Sequence, residues 1–121
     1  MKKLLIILSA GIVLSSCYYD KEEDLLPTAG ACDITGVTYA NAVQPLLQSN
    51  GCISCHSGSA PSGNISLNGY NNVKVVALNG KLYGAISHSA GYSPMPQGSN
   101  KMNTCNINLI KAWIDGGAVN N

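Results

Sequence analysis

The chain has no arginine, no phenylalanine, one tryptophan and two histidines. These shortages are informative. The seven basic residues are all lysines, set against six acids, for a formal net charge of +1. No basic stripe exists, so nucleic acid is not an expected partner. With no phenylalanine and with glycine, asparagine and serine in abundance, a hydrophobic core built from this chain is small. A core of that kind is marginal unless a staple, a metal or a cofactor adds to it. Long apolar runs are also missing. The longest, Leu4–Leu14, is broken only by Ser9 and is too short to span a bilayer as a helix.

That run sits behind Lys2 and Lys3, which makes it the apolar stretch of a secretory signal. It ends in Leu14-Ser15-Ser16-Cys17. This "LSSC" resembles the lipobox of bacterial lipoproteins. The resemblance implies that residues 1–16 are a signal peptide and that Cys17 is lipidated. It implies a protein of the bacterial cell envelope, anchored in a lipid membrane through Cys17 and facing the periplasm or the cell surface. Several acyl chains on one residue anchor stably where a single chain holds only marginally. Residues 17–32 read as an acidic tether: "YYDKEED" carries four of the six acids, and "LLPTAGA" follows with no periodicity. A flexible segment of this length reaches about 20 Å. The acid cluster is a solvated face, and it resembles the export signal behind the lipid cysteine of some surface-exposed lipoproteins.

Residues 33–121 then form one small domain. The periodicity predicts short helices and no strand ladder. "TYANAVQPLLQSN" starts with Thr38 as N-cap and stops at Gly51, with Pro45 near its first turn or kinking it. "YNNVKVVALNG" places Val73, Val76 and Ala77 on one side and ends at Gly80. "KLYGAI" adds a turn or two, and "SHSAGYSPMPQGSNK" is irregular. The last helix, "TCNINLIKAWIDGG", has Asn103 as N-cap and an apolar face of Leu109, Ile110, Trp113 and Ile114. Met102 ahead of it is placed to pack on Ile107 as a hydrophobic staple.

Five cysteines must be accounted for in an oxidising envelope. If Cys17 takes lipid and Cys52 and Cys55 take a cofactor, a disulfide between Cys32 and Cys105 is the economical use of the remaining pair. Cys52-Ile53-Ser54-Cys55-His56 is the chemical centre. C-x-x-C-H is the attachment pattern of c-type haem. Two thiols three positions apart reach the two vinyl groups of one porphyrin edge, and the next histidine is carried under the iron. Two rivals compete. A redox-active C-x-x-C wants a thioredoxin-like context, which is absent. A structural zinc site needs four ligands and would have to recruit His88. With haem, a sixth ligand is needed from the far side of the iron. Met95, bracketed by Pro94 and Pro96, is the leading candidate and His88 the alternative; Met102 already has a packing role.

"PLLQSNGCISCHSG", "GNISLNGY", "SPMPQGSNKM" and "IKAWIDGGA" resemble, in order and spacing, the small monohaem c-type cytochrome domains. The resemblance covers roughly residues 39–119. It implies an all-α, cytochrome c-like fold of short helices around one covalent haem c, with Cys52 and Cys55 as thioether sites. His56 is then the proximal iron ligand and Met95 the distal one. Gln97 stands where many members have a second proline. Pro61 is placed to offer a carbonyl to His56 Nδ1–H, the usual kind of partner for a ligating histidine. The implied function is electron transfer between redox partner proteins of the envelope, with no catalytic residue and no enzyme activity. The alternatives are a haem peroxidase or gas-binding protein with a labile sixth ligand, and an accessory haem domain of a larger oxidoreductase complex.

Overall fold

The structure, a computed structural model, describes residues 32–121. The signal segment, the lipidation candidate Cys17 and the tether up to residue 31 lie outside the described residues. Within the described part every regular element is helical and there is no strand.

The first helix begins at a reciprocal cap. Thr38 Oγ1 accepts the Asn41 N–H at 2.9 Å, and Asn41 Oδ1 accepts the Thr38 N–H at 2.8 Å. Each side chain satisfies an N–H that the first turn leaves without an intrahelical partner. The opening turn, Tyr39–Val43, is π-helical and runs straight into α1, Gln44–Ser49. Pro45 therefore falls in the first turn of α1, where its missing N–H is tolerated. Gly51 then reverses the chain at φ 70°, and α2, Cys52–Cys55, starts at once. A left-handed residue at that point suits glycine, which has no Cβ to clash.

A loop with a short 3-10 turn at Ser62–Asn64 leads to α3, Tyr70–Leu78, and α4, Lys81–Ile86. Gly80, at φ 80°, separates α3 from α4. After an irregular stretch, α5 spans Thr104–Asp115, with Asn103 Oδ1 accepting the Asn106 N–H at 2.8 Å. α5 packs across the π-helical turn and against α4.

The core follows the expected spacing. Val43, Leu47, Val73, Ile110 and Trp113 are fully buried, and Val76, Ala77, Met102 and Ile107 join them. Leu109 and Ile114, expected on the buried face of the last helix, are only partly covered, and Ile107 lies deeper than either. In place of phenylalanine the core uses Tyr39, whose ring meets Tyr70 edge-on at 5.3 Å and Trp113 at 5.7 Å. Such aromatics carry polar atoms that must be satisfied when buried. Tyr70 O–H donates to Ala118 O at 2.9 Å, and Trp113 Nε1–H donates to Val119 O at 2.8 Å. The same tail reaches the first helix: Asn121 accepts the Tyr39 N–H through Oδ1 at 3.0 Å and the Ala40 N–H through its backbone oxygen at 3.1 Å.

Cys32 and Cys105 are bonded, with Cα atoms 5.3 Å apart, which ties the start of the described domain to the first turn of α5. Among the described residues no helix is long and apolar enough to cross a membrane.

Candidate functional site

α2 is one turn long, and its purpose is visible in what it borders. A cavity of about 770 Å³ lies beside it, lined by Cys52, Cys55 and His56 on one side. Leu82, Ala85 and Ile86 of α4 form another wall, with Ile65, Leu67 and Val76 behind. The irregular stretch after α4 contributes Tyr92, Met95 and Pro96. The volume lies within the roughly 300–1,000 Å³ of small-molecule and cofactor pockets, and its mainly apolar wall with a few polar groups is typical of them. So the cavity unites both motif cysteines, the motif histidine and Met95. His88 is not part of its lining, and Met102 is buried in the core instead.

The two thiols differ. Cys55 is exposed and Cys52 is half-buried. Burial pushes the Cys52 thiol above its ordinary pKa. A redox-active C-x-x-C depends on the opposite shift, a thiol pKa lowered to favour the thiolate. Cys52 is thus shifted away from the thiolate that disulfide exchange uses. A metal ion bound by protein side chains alone is poorly served. Among the described residues no three histidine, cysteine, aspartate or glutamate side chains come together to hold one. Covalent attachment to a porphyrin makes neither demand. It needs thiols at the edge of a cavity and one nitrogen facing the iron.

His56 is held at three points. Its N–H donates to Cys52 O at 3.0 Å, and its carbonyl accepts the Leu67 N–H at 2.7 Å. Its ring Nδ1 lies 2.9 Å from Ile65 O. A carbonyl can only accept, so Nδ1 carries the hydrogen, and in the neutral ring Nε2 holds the lone pair. That tautomer suits ligation of a metal through Nε2, with the other nitrogen fixed by a backbone acceptor. The partner expected from sequence, Pro61, is wrong. The 3-10 turn at Ser62–Asn64 takes up the Pro61 carbonyl, which accepts the Asn64 N–H at 3.0 Å, and brings Ile65 against the ring instead.

Met95 is half-buried at the cavity, and its backbone is held from outside. Its N–H donates to Ala85 O at 3.0 Å. Its carbonyl accepts from His88 Nε2–H at 3.1 Å. The stretch also leans on α4 through Tyr92. A Cβ built on Gly84 would stand 2.5 Å from ring carbons of Tyr92, and one on Gly80 3.3 Å from its hydroxyl. Sequence reading passed over this contact, although there was a signal. A glycine inside a helix costs about 1 kcal/mol relative to alanine, so Gly84 in "KLYGAI" marks a close approach.

Gly84→Ala tests that contact. Helix propensity alone would make the variant more stable. The collision with a rigid ring reverses the sign, and a net loss of about 1–3 kcal/mol is expected, as for other overpacked sites. Denaturant midpoints measure it, and adding Tyr92→Ala should abolish the penalty. An unchanged or raised midpoint in Gly84→Ala alone would show that Tyr92 does not rest there.

Compared with family models, with curated proteins and with solved structures, the chain matches none.

Proposed function

We propose that this chain is an electron-transfer protein of the c-type cytochrome kind, carrying one haem c. In this reading Cys52 and Cys55 would hold the group through thioethers, and His56 Nε2 and the Met95 sulfur would ligate its iron. The all-α fold is then a cytochrome c-like fold closed around its cofactor. Cys17 carries the lipid that tethers it to a membrane of the bacterial cell envelope, and its partners are redox proteins of that envelope. One observation carries the reading. A single cavity gathers both cysteines, Met95 and a histidine whose Nδ1 is already committed to a carbonyl.

The haem, when bound, supplies one-electron exchange at iron, with a potential raised by a His/Met ligand pair. The chain's residues do the rest. Ile65, Leu67, Val76, Leu82 and Ile86 line the cavity with hydrocarbon. The Ile65 carbonyl orients the His56 ring and raises its donor strength. The two backbone hydrogen bonds at Met95 hold a neutral thioether at the cavity, which favours electron transfer over reaction at an open iron. His88 is less suited to be the ligand, because it does not line the cavity and its Nε2–H is given to Met95 O.

The test is covalent attachment. The protein made with haem-maturation machinery should retain its haem through denaturation and acid-acetone extraction. Cys52→Ala and Cys55→Ala should each leave one thioether and lower the yield of holoprotein. Haem that extracts freely, or zinc in its place, would overturn the reading.

A further inference from the structure

His88 is the residue whose geometry the proposed function leaves unexplained. It follows α4 directly and has φ 55°, in the left-handed region. Histidine is one of the few non-glycine residues enriched there, and His88 occupies the turn that ends α4, where its N–H donates to Ala85 O at 3.2 Å and the Ser89 N–H donates to Gly84 O at 2.9 Å. The turn swings the exposed ring back over the following stretch, where Nε2 meets Met95 O at 3.1 Å, seven residues on in sequence. Ala85 O accepts both the His88 N–H at 3.2 Å and the Met95 N–H at 3.0 Å. Met95 is thus held at its N–H and its C=O by the end of one helix, and that helix also supplies a wall of the cavity through Leu82, Ala85 and Ile86.

We propose that His88 is a positioning residue for Met95: it grips the Met95 carbonyl from the solvent side and so keeps the Met95 sulfur at the cavity. The inference rests on the haem reading above and adds a role to it. His88 acts through the backbone of the ligand residue and does not touch the iron. The two side chains are therefore not interchangeable candidates for one coordination position. His88 would have to release Met95 O before its Nε2 was free to bind anything else.

Any added ligand for ferric iron must first displace the methionine, so its apparent affinity reports how firmly Met95 is held. The probe is imidazole, titrated into ferric holoprotein. His88→Gly removes the ring and relieves the left-handed backbone. One hydrogen bond contributes about 0.5–1.5 kcal/mol net, so imidazole affinity should rise roughly three- to tenfold in this variant. The sulfur-to-ferric-iron charge-transfer band should weaken in parallel. His88→Gln keeps an N–H donor at similar reach and should return affinity and band most of the way to wild type. A role in stability alone would lower the denaturant midpoint and leave both readouts unmoved. Wild-type affinity in His88→Gly, or equal gains in His88→Gly and His88→Gln, overturns the role while the haem reading stands. A wild-type protein with no haem spectrum overturns both at once.

Discussion

Removing the Cys32–Cys105 bridge, in Cys32→Ala/Cys105→Ala, is expected to cost the domain about 4 kcal/mol of stability. The bridge closes a loop with a sequence separation of 73 residues. In the chain-entropy description its effect lies mostly in the unfolded state, whose freedom it restricts, and it grows with the logarithm of loop length. Small domains have net stabilities of about 5–15 kcal/mol, so this loss is a large share of the total. Denaturant unfolding checks the mechanism as well as the size. The midpoint should fall and the denaturant slope should rise, because an unlinked chain exposes more surface when it unfolds. A midpoint within error of wild type would show that the loop is already restrained by other means.

Met95→Ala is expected to have the largest effect on the cofactor. A thioether is a neutral donor that stabilises ferrous over ferric iron, so its loss should lower the reduction potential. The charge-transfer band should vanish, and carbon monoxide should bind the reduced form without having to displace a ligand. Met95→His should restore a closed site at a lower potential. His88→Ala should keep a sulfur-ligated iron, with the looser hold described above. If Met95→Ala left the spectrum unchanged and His88→Ala opened the iron, the ligand pair would be bis-histidine. The Nε2–H bond from His88 to Met95 O would then be absent from the working protein.

These expectations depend on features that were legible in sequence to very different degrees. Caps and stops were readable because they are local. Thr38 and Asn103 each bond an N–H three residues on, and Gly51 and Gly80 turn the chain where it must reverse. Helical spacing identified Val73, Val76 and Ala77 as buried, because a period of 3.6 determines which side of a helix a residue faces. That the motif cysteines and His56 lie together was readable from their spacing, since α2 and the residue that ends it form one turn. Contacts made by the loops were not readable. Ile65 displaced Pro61 as the partner of His56 because a 3-10 turn redirected the carbonyls, and nothing periodic announces such a turn. Asn121 meets Tyr39 and Ala40 across nearly the whole domain, and no local rule links residues so distant. The gripping of Met95 by His88 depends on a single left-handed residue. Sequence identified both side chains as candidates for the same job, whereas the structure places one behind the other.

The position of Cys32 has a mechanical consequence. Any pull on the chain ahead of residue 32 arrives at a covalent junction with α5, the longest helix of the described domain. The load therefore bypasses the Thr38 cap and the π-helical turn, which hydrogen bonds alone would have to hold. Peeling from the N-terminal end, the easiest way to open a small helical domain one bond at a time, is blocked at its first step. A force large enough to unfold the protein has to shear α5 out of the core that holds Ile107, Ile110 and Trp113. On the proposed reading, in which Cys17 anchors the protein to a lipid membrane, drag on the leash would enter the fold at this bridge and not at the Thr38 cap.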